Sequence, residues 1–240
     1  MKKLRIIKAG TTFSSTLAAF GDFEDWILAG LGKAALPIEV FDVTKGVSLP
    51  RTADCLGIIV TGSHAMVTEE LPWSLGIERW IPDLVGSETP FLGICYGHQL
   101  LGRAMGGQVG YHPLGRELGT VEIRLEPDAD GDPLFAGIPE RFLGHSAHSQ
   151  SVLLLPPGAK LLASGVHEPH MSFRIGKAAW GVQFHPEYTA AVMNADVSED
   201  ANNAGCRNEG CNGSVETPFA AMVLSNFAGI VSRRLADSAG

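Results

Sequence analysis

Short apolar runs alternate with helical patterns along the first hundred residues of the chain. Helical spacing is clearest where Phe23, Trp26, Ile27 and Leu31 recur on one face, and it returns less regularly over 75–84. The apolar runs are rich in β-branched and aliphatic residues, as expected for strands covered on both faces, and they span 4–8, 38–43, 56–61 and 91–94. This alternation predicts an α/β fold with a mostly parallel central sheet flanked by helices.

Beyond residue 107 the pattern changes to strand-like runs separated by turns. These runs span 108–112, 118–125, 141–144 and 152–155, and two more, 171–175 and 179–184, are joined as in a hairpin. A helix closes the chain, with Thr217 as its cap, Pro218 in its first turn and one apolar stripe along its length. The stripe consists of Phe219, Met222, Val223, Phe227, Ile230 and Val231. We therefore expect an additional antiparallel strand region, and a single domain over residues 1–240.

Residues 194–216 contain Asn, Asp, Glu, Gly and Ser with few large apolar side chains, which predicts an exposed, mobile loop. Cys206 and Cys211 fall in this segment, as two thiols in a flexible loop, as a small disulfide or as part of a metal site. No second cysteine pair or nearby histidine in the sequence completes a four-ligand zinc site. We therefore expect no metal site, and the sequence indicates no cofactor.

Charge and length limit the functions that are open to the chain. With 18 Lys and Arg residues against 26 Asp and Glu residues, the net charge of −8 disfavours a nucleic-acid or anionic-membrane surface. No apolar run approaches the ~20 residues that span a bilayer, and the basic N-terminus lacks the apolar core of a signal peptide. The 4 cysteines are too few for a disulfide framework. We expect a cytoplasmic protein that acts on small polar molecules or binds protein partners.

Cys95 lies in the sequence Gly-Ile-Cys-Tyr-Gly, between a strand-like run and a helix-like stretch. The flanking Gly93 and Gly97 allow a sharp strand-to-helix turn without a Cβ clash, which would present the sulfur at a helix N-terminus. The unpaired N–H groups at such a terminus favour the thiolate, the reactive form of cysteine. Two interpretations stay open from these residues alone: a nucleophile, or a buried cysteine that fills a strand end.

A thiolate nucleophile requires a base, and His185 stands out among the 8 histidines. It follows the last strand-like run, and Pro186 stiffens the turn behind it. Glu187 is then in reach to accept a hydrogen bond from the imidazole and to set its tautomer. The sequence therefore predicts a Cys, His, Glu triad. His98 is the competing base, because it lies only three residues after Cys95.

An acyl intermediate also requires N–H donors for its oxyanion. The backbone amide of Tyr96, directly after the nucleophile, is one candidate. Gly62, in the turn Thr61-Gly62-Ser63 at the end of the third strand-like run, is another, although glycine is common in any turn after a strand. Both amides would serve an acyl-transfer site around Cys95.

Three separated blocks of the sequence resemble the class I glutamine amidotransferases, especially the glutaminase domain of GMP synthase and its stand-alone relatives. The blocks are Thr61-Gly62-Ser63, residues 90–101 around Cys95 and residues 181–187 around His185. Segments 116–119 and 155–159 also match in family order, so the resemblance covers about residues 40–190. The first block departs from the family, because this loop reads Thr61-Gly62-Ser63-His64 rather than the commoner double-glycine and proline form.

The resemblance implies an enzyme that hydrolyses the side-chain amide of glutamine to glutamate and ammonia through a cysteine thioester. In that chemistry Cys95 is the nucleophile, His185 is the acid and base, and Glu187 orients His185. Gly62 and Tyr96 supply the oxyanion amides.

Gln99 corresponds in this resemblance to the substrate-contacting glutamine after the nucleophile; on periodicity alone it is an exposed helix residue. A chain of 240 residues without a P-loop pattern leaves no room for an ATP-dependent synthase domain. We therefore expect the ammonia to pass to a separate synthetase subunit, unless the chain transfers the acyl group itself.

Two other functions stay open. A γ-glutamyl hydrolase or peptidase would use the same triad on γ-glutamyl peptides or amines. A catalytically silent binding or regulatory module would keep the pocket without turnover, although it need not retain Cys95, His185 and Glu187 together.

Overall fold

The computed structural model describes residues 2–32, 36–204 and 213–237. Side chains of the central strands alternate between two hydrophobic cores, one on each face of the sheet. In β1, for example, Leu4 and Ile6 pack in one core and Ile7 packs in the other. Both cores are completed by helices, which is the layered arrangement that the alternating pattern predicts.

The helices and strands of the described residues are, in chain order, β1 (Lys3–Lys8), α1 (Ser14–Phe20), α2 (Phe23–Gly30), β2 (Ile38–Asp42), β3 (Cys55–Val60), α3 (Pro72–Gly86), β4 (Phe91–Ile94), α4 (Tyr96–Ala104), β5 (Gln108–Tyr111), β6 (Glu117–Leu125), β7 (Arg141–His148), β8 (Gln150–Leu154), β9 (Lys160–Gly165), β10 (Ser172–Ile175), β11 (Ala179–Val182), α5 (Ala190–Ala204) and α6 (Pro218–Asp237).

The predicted α/β class and central sheet are confirmed. Nine of the strands in the described ranges form one mixed sheet in the order β2-β1-β3-β4-β11-β10-β9-β6-β7. The pairs from β2 to β11 are parallel, and those from β11 to β7 are antiparallel. The predicted antiparallel region therefore largely continues the main sheet, while β5 and β8 pair apart from it. Strand β9 was not predicted from the sequence, because its residues Leu161-Leu162-Ala163-Ser164 include no β-branched side chain.

Strand order decides which turns meet at one edge of the sheet. β4 lies between β3 and β11, and the three strands run parallel. Their carboxyl ends therefore lie side by side, which is where ligands gather in open α/β sheets. The chain leaves these ends at Thr61, Cys95 and Gln183, so three distant parts of the sequence converge.

The prediction of a loop over 194–216 is wrong for its first part, because helix α5 extends from Ala190 to Ala204. Val192 and Met193 are buried and pack with Tyr188, which stabilises the helix by burial of one apolar face. The polar residues around them hide this short apolar pattern from a reading of the sequence.

Cys206 and Cys211 lie outside the described residues, so the predictions for the two thiols stay predictions. In α6 the predicted apolar stripe is buried at Val223, Phe227 and Val231, whereas Phe219, in the first turn, is 43% exposed. None of the helices within 2–32, 36–204 and 213–237 combines the length and apolarity needed to cross a bilayer.

Candidate active site

Cys95 occupies the sharp turn between β4 and α4. Its backbone has φ 49° and ψ −95°, and such a positive φ costs a non-glycine residue about 1–3 kcal/mol. The neighbouring glycines permit the close packing around this turn. A Cβ on Gly93 would lie 2.3 Å from the carbonyl oxygen of Gly97, and a Cβ on Gly97 would lie 2.6 Å from that of Val60. The predicted strand-to-helix turn is present, and its strained backbone conformation is that of Cys95.

The sulfur of Cys95 is held between polar groups. The side-chain amide of Gln183 donates a hydrogen bond to Sγ at 3.4 Å, and Sγ lies 3.7 Å from the carbonyl oxygen of Ala147. Gln99 in turn donates to Oε1 of Gln183 at 3.1 Å and to the backbone oxygen of Gln150 at 2.6 Å. Gln99 therefore holds the Gln183 amide with its NH2 group toward the sulfur.

Gln183 is a site residue that the sequence analysis missed. It is fully buried directly after β11, among the apolar residues of that strand and Phe184. A polar side chain in a run that is otherwise apolar is the signal that was available, since buried polar groups are retained only with partners. Gln99, predicted to contact substrate, is 4% exposed and lines the cavity at Cys95 while bonding to Gln183.

The imidazole of His185 is positioned by contacts on several sides. Its Nδ1 lies 2.7 Å from Oε1 of Glu187, and its backbone N–H donates to the carbonyl of His145 at 2.8 Å. The ring stacks on Tyr188, with centroids 4.2 Å apart, and Phe23 lies near both rings with centroids 6.4 Å away. The predicted pairing of His185 with Glu187 is thus present in the structure.

Burial by itself would lower the pKa of His185, because it disfavours the imidazolium. The electrostatic interactions with Glu187 and Cys95, together with the hydrogen bond to Glu187, outweigh that penalty and raise the pKa of His185 well above 6.5. Two other histidines respond in the opposite direction. Burial, and to a smaller extent the charge of His185, lowers the pKa of His64. The same two causes lower the pKa of His145 to about 4. Of these three histidines, His185 is therefore the one whose charged form is favoured.

His98, the competing base, lies in the core. Its side chain is fully buried against Phe173, with ring centroids 4.8 Å apart, and burial lowers its pKa to about 3. A Cβ on Gly181 would lie 2.6 Å from Nδ1 of His98, so this ring fills the space that the glycine leaves. These contacts indicate a neutral packing role for His98.

Gly62 and Tyr96 flank the same edge of the sheet. A Cβ on Gly62 would lie 3.0 Å from Cε1 of His185, so glycine at this position also makes room for the imidazole. As the first residue of α4, Tyr96 has an N–H without an acceptor inside the helix. Its hydroxyl donates to Ser74 at 2.7 Å, which anchors the side chain in the core beside the turn.

A cavity of about 220 Å³ opens at Cys95. Its described lining consists of Phe13, Ser63, His64, Ala65, Met66, Cys95, Tyr96, Gln99, Arg116, Ala147, His148, Ser149 and Gln150. Among these residues only Arg116 carries a formal charge when histidine is counted as neutral. A larger cavity, of about 710 Å³, is lined by residues within 124–140 and contains none of the predicted site residues. In the described part of the chain, no group of three or more His, Cys, Asp or Glu side chains is arranged to hold a metal ion.

Comparison with known proteins identifies the family of the chain. The model of the class-I glutamine amidotransferases matches residues 17–202. A glutamine-hydrolyzing GMP synthase of Aeropyrum pernix is 35% identical over 155 residues, which are 65% of this chain and 28% of that protein. The corresponding enzyme of Thermomicrobium roseum is 37% identical over 131 residues, or 55% of this chain and 23% of that protein. The chain therefore spans less than a third of the length of these relatives.

A crystal structure of a glutamine amido transferase from Methylobacillus flagellatus has the same fold. It superposes with a TM-score of 0.69 at 22% identity and covers 98% of this chain and 95% of its own.

Proposed function

Since the chain belongs to the class I glutamine amidotransferase family, we propose that it hydrolyses the side-chain amide of glutamine to glutamate and ammonia. The observation that carries the proposal is that Cys95, which lines the cavity, interacts with the buried His185, and that His185 pairs in turn with the buried Glu187. A thiol on a strained turn and an imidazolium paired with a carboxylate form the nucleophile, acid and orienting group that amide cleavage requires.

The acylation step uses the thiolate and the imidazolium together. The Cys95 thiolate attacks the amide carbon, and the carbonyl electron pair moves to the oxygen, where the N–H groups of Tyr96 and Gly62 would bind the oxyanion. His185 donates its proton to the amide nitrogen as the C–N bond breaks. Ammonia leaves, and a glutamyl thioester remains on Cys95.

Water completes the cycle. The neutral His185 takes a proton from the attacking water, and the tetrahedral species collapses with the Cys95 thiolate as leaving group. Glutamate is released, and the thiolate–imidazolium pair is restored. Glu187 keeps the same ring nitrogen occupied throughout, so Nε2 is the atom that gives and takes the proton.

We propose that Arg116 binds the carboxylate of the substrate, because it brings the formal positive charge to the described cavity lining. Arg116→Gln is expected to raise KM for glutamine about tenfold or more, with kcat within about twofold, because a charge-assisted hydrogen bond contributes about 1.5–3 kcal/mol equally to ground and transition states. Steady-state ammonia release measures both constants. Arg116→Lys is the matched control and should recover part of the affinity; an unchanged KM in Arg116→Gln would remove this role.

The fate of the ammonia is a further part of the proposal. The relatives from Aeropyrum pernix and Thermomicrobium roseum are named glutamine-hydrolyzing GMP synthases, and this chain matches less than a third of the length of each. We propose that a separate synthetase subunit receives the ammonia, and that the chain itself needs no cofactor for amide hydrolysis.

A substrate panel tests the proposed function. The purified protein is expected to release ammonia from L-glutamine, and faster than it cleaves γ-glutamyl peptides or amines. Turnover confined to γ-glutamyl compounds would support a γ-glutamyl hydrolase instead. Failure on both sets, with and without cell extract to supply a partner, would support a silent binding or regulatory module. Ammonia is measured by an enzyme-coupled assay, with Cys95→Ser as the background control.

A further inference from the structure

We propose that Tyr188 and Asp196 are positioning residues for His185, so that helix α5 sets the plane of the catalytic imidazole. This inference rests on the proposed function for the role of His185. It concerns side chains that the thioester chemistry itself does not use, and it gives α5 a function within the site.

Three side chains link α5 to the catalytic imidazole, in the order Asp196, Tyr188 and His185. The Tyr188 ring stacks on the His185 ring, with centroids 4.2 Å apart and planes 29° apart. The Tyr188 hydroxyl donates to Oδ2 of Asp196 at 2.8 Å. Tyr188 is 5% exposed and Asp196 is 3% exposed, so water has little access to the hydrogen bond.

The stack supplies a constraint that the triad lacks. The Nδ1 contact with Glu187 holds one atom of the imidazole but leaves the ring able to tilt about that hydrogen bond. A flat ring against its face limits the tilt and keeps Nε2 aimed in one direction. His185 must keep that aim while it changes between charged and neutral forms in every turnover.

The carboxylate makes the stack favourable for the charged form. A phenol that donates to a carboxylate carries more electron density on its ring, and an electron-rich ring face attracts a cation more strongly. Asp196 therefore stabilises the imidazolium through Tyr188. Without the hydroxyl, the ring still packs on His185 but attracts its charge less.

Asp196 is a costly residue for a purely structural position. Its Oδ1 atom is buried and has no hydrogen-bond partner among the described residues, and burial raises the pKa of its carboxyl group. Buried carboxylates with unsatisfied oxygens are rare and concentrate at functional sites. α5 delivers this group by packing Val192 and Met193 into the same small apolar cluster as Tyr188.

His185 and Asp196 share some of their charged and titratable neighbours. Those facing His185 are Glu187, Cys95, His64 and His145, and those facing Asp196 are Tyr188, His185, Arg116 and Glu187. A pH profile therefore reports on the whole group, and each substitution is compared with the wild type over the same pH range.

Two conservative variants test the proposal. Tyr188→Phe keeps the stacked ring and removes the hydroxyl, and Asp196→Asn keeps an acceptor oxygen and removes the charge. Each is expected to lower kcat for glutamine about 3- to 30-fold, the range of a desolvated cation–π contact, with KM within about twofold. The fall in activity at high pH should also begin at lower pH, because the imidazolium is less stabilised.

A second measurement does not depend on turnover. Iodoacetamide alkylates the Cys95 thiolate, which the imidazolium favours, so both variants should react several-fold more slowly near pH 6 and at the wild-type rate near pH 9. Ser198→Ala is the matched control, because Ser198 is exposed on α5 and, within the described residues, its hydroxyl donates to the carbonyl of Asn194 in the same helix. It should leave kcat and alkylation unchanged.

The outcomes separate this proposal from the proposed function. If the wild type does not hydrolyse glutamine, the proposed function fails, and the alkylation profile still decides the role of Tyr188 and Asp196. Wild-type kcat and alkylation in both variants, or a rise in KM alone, would overturn the positioning role. If Asp196→Asn loses its cooperative thermal transition, Tyr188→Phe carries the test.

Discussion

Cys95→Ser is expected to lower glutamine hydrolysis by at least about three orders of magnitude, because removal of a nucleophile abolishes the covalent route and leaves only residual binding effects. Serine keeps the size of the side chain on the strained turn but ionises far less readily than a thiol beside an imidazolium. The sulfur lies at the cavity, accepts a hydrogen bond from the side chain of Gln183 and interacts electrostatically with His185, whose pKa is raised. No other thiol lines the described part of this cavity.

Two measurements check the loss. Ammonia release gives kcat, and mass spectrometry after exposure to a glutamine-like electrophile shows which residue carries the label. Cys55→Ser is the matched control, because Cys55 is buried in β3 and contacts the backbone of Arg51 rather than the site. It should keep wild-type turnover and labelling. Labelling that persists in Cys95→Ser would show that another residue is the nucleophile.

His185→Ala is expected to lower kcat by about two to four orders of magnitude, the usual contribution of a general acid and base. The variant loses the proton donor for the leaving ammonia and the cation that stabilises the thiolate. His98→Asn tests the competing assignment; it should keep kcat within a few-fold and lose thermal stability, because His98 is a packed core residue. Near-normal turnover in His185→Ala would transfer the acid–base role to another histidine.

The raised pKa of His185 also predicts a pH dependence. The imidazolium should persist well above pH 6.5, and kcat/KM should fall as the pH rises through this raised pKa, because the proton needed by the leaving group is lost. The same sign applies to folding. The stabilisation from the charged ring is complete below the unfolded-state pKa near 6.5 and is lost as the pH rises through the folded-state value. The difference in Tm between wild type and His185→Ala, measured across pH, should shrink accordingly.

Much of the site could be predicted from the sequence, because several of its features depend on residues that are close together in the chain. The turn at Cys95 requires small neighbours, so Gly93 and Gly97 mark it in the sequence. The hydrogen bond between His185 and Glu187 joins residues two positions apart, and it too is present in the structure. Gln183 was missed because its partners, Cys95 and Gln99, lie more than eighty positions away in the chain.

The error over 194–216 has a different cause. A helix whose stability comes from packing leaves only a weak local pattern, and in α5 the packing partners include Trp26 and Tyr188. Asp196 lies among Asn, Ala, Val and Ser, and by composition it resembles a solvated loop residue. Only its burial beneath Tyr188 shows otherwise.

Local sequence was enough to predict the alternation of strands and helices, the strand-to-helix turn at Cys95 and the pairing of His185 with Glu187. Each depends on backbone sterics or on neighbours a few residues apart, which composition and spacing record directly. Three features became visible only in the folded chain: β4 lies between β3 and β11, Gln183 contacts the sulfur, and α5 contacts the imidazole through Tyr188. Those features depend on strand order and on burial between distant segments, and no local pattern encodes the free energy of such contacts.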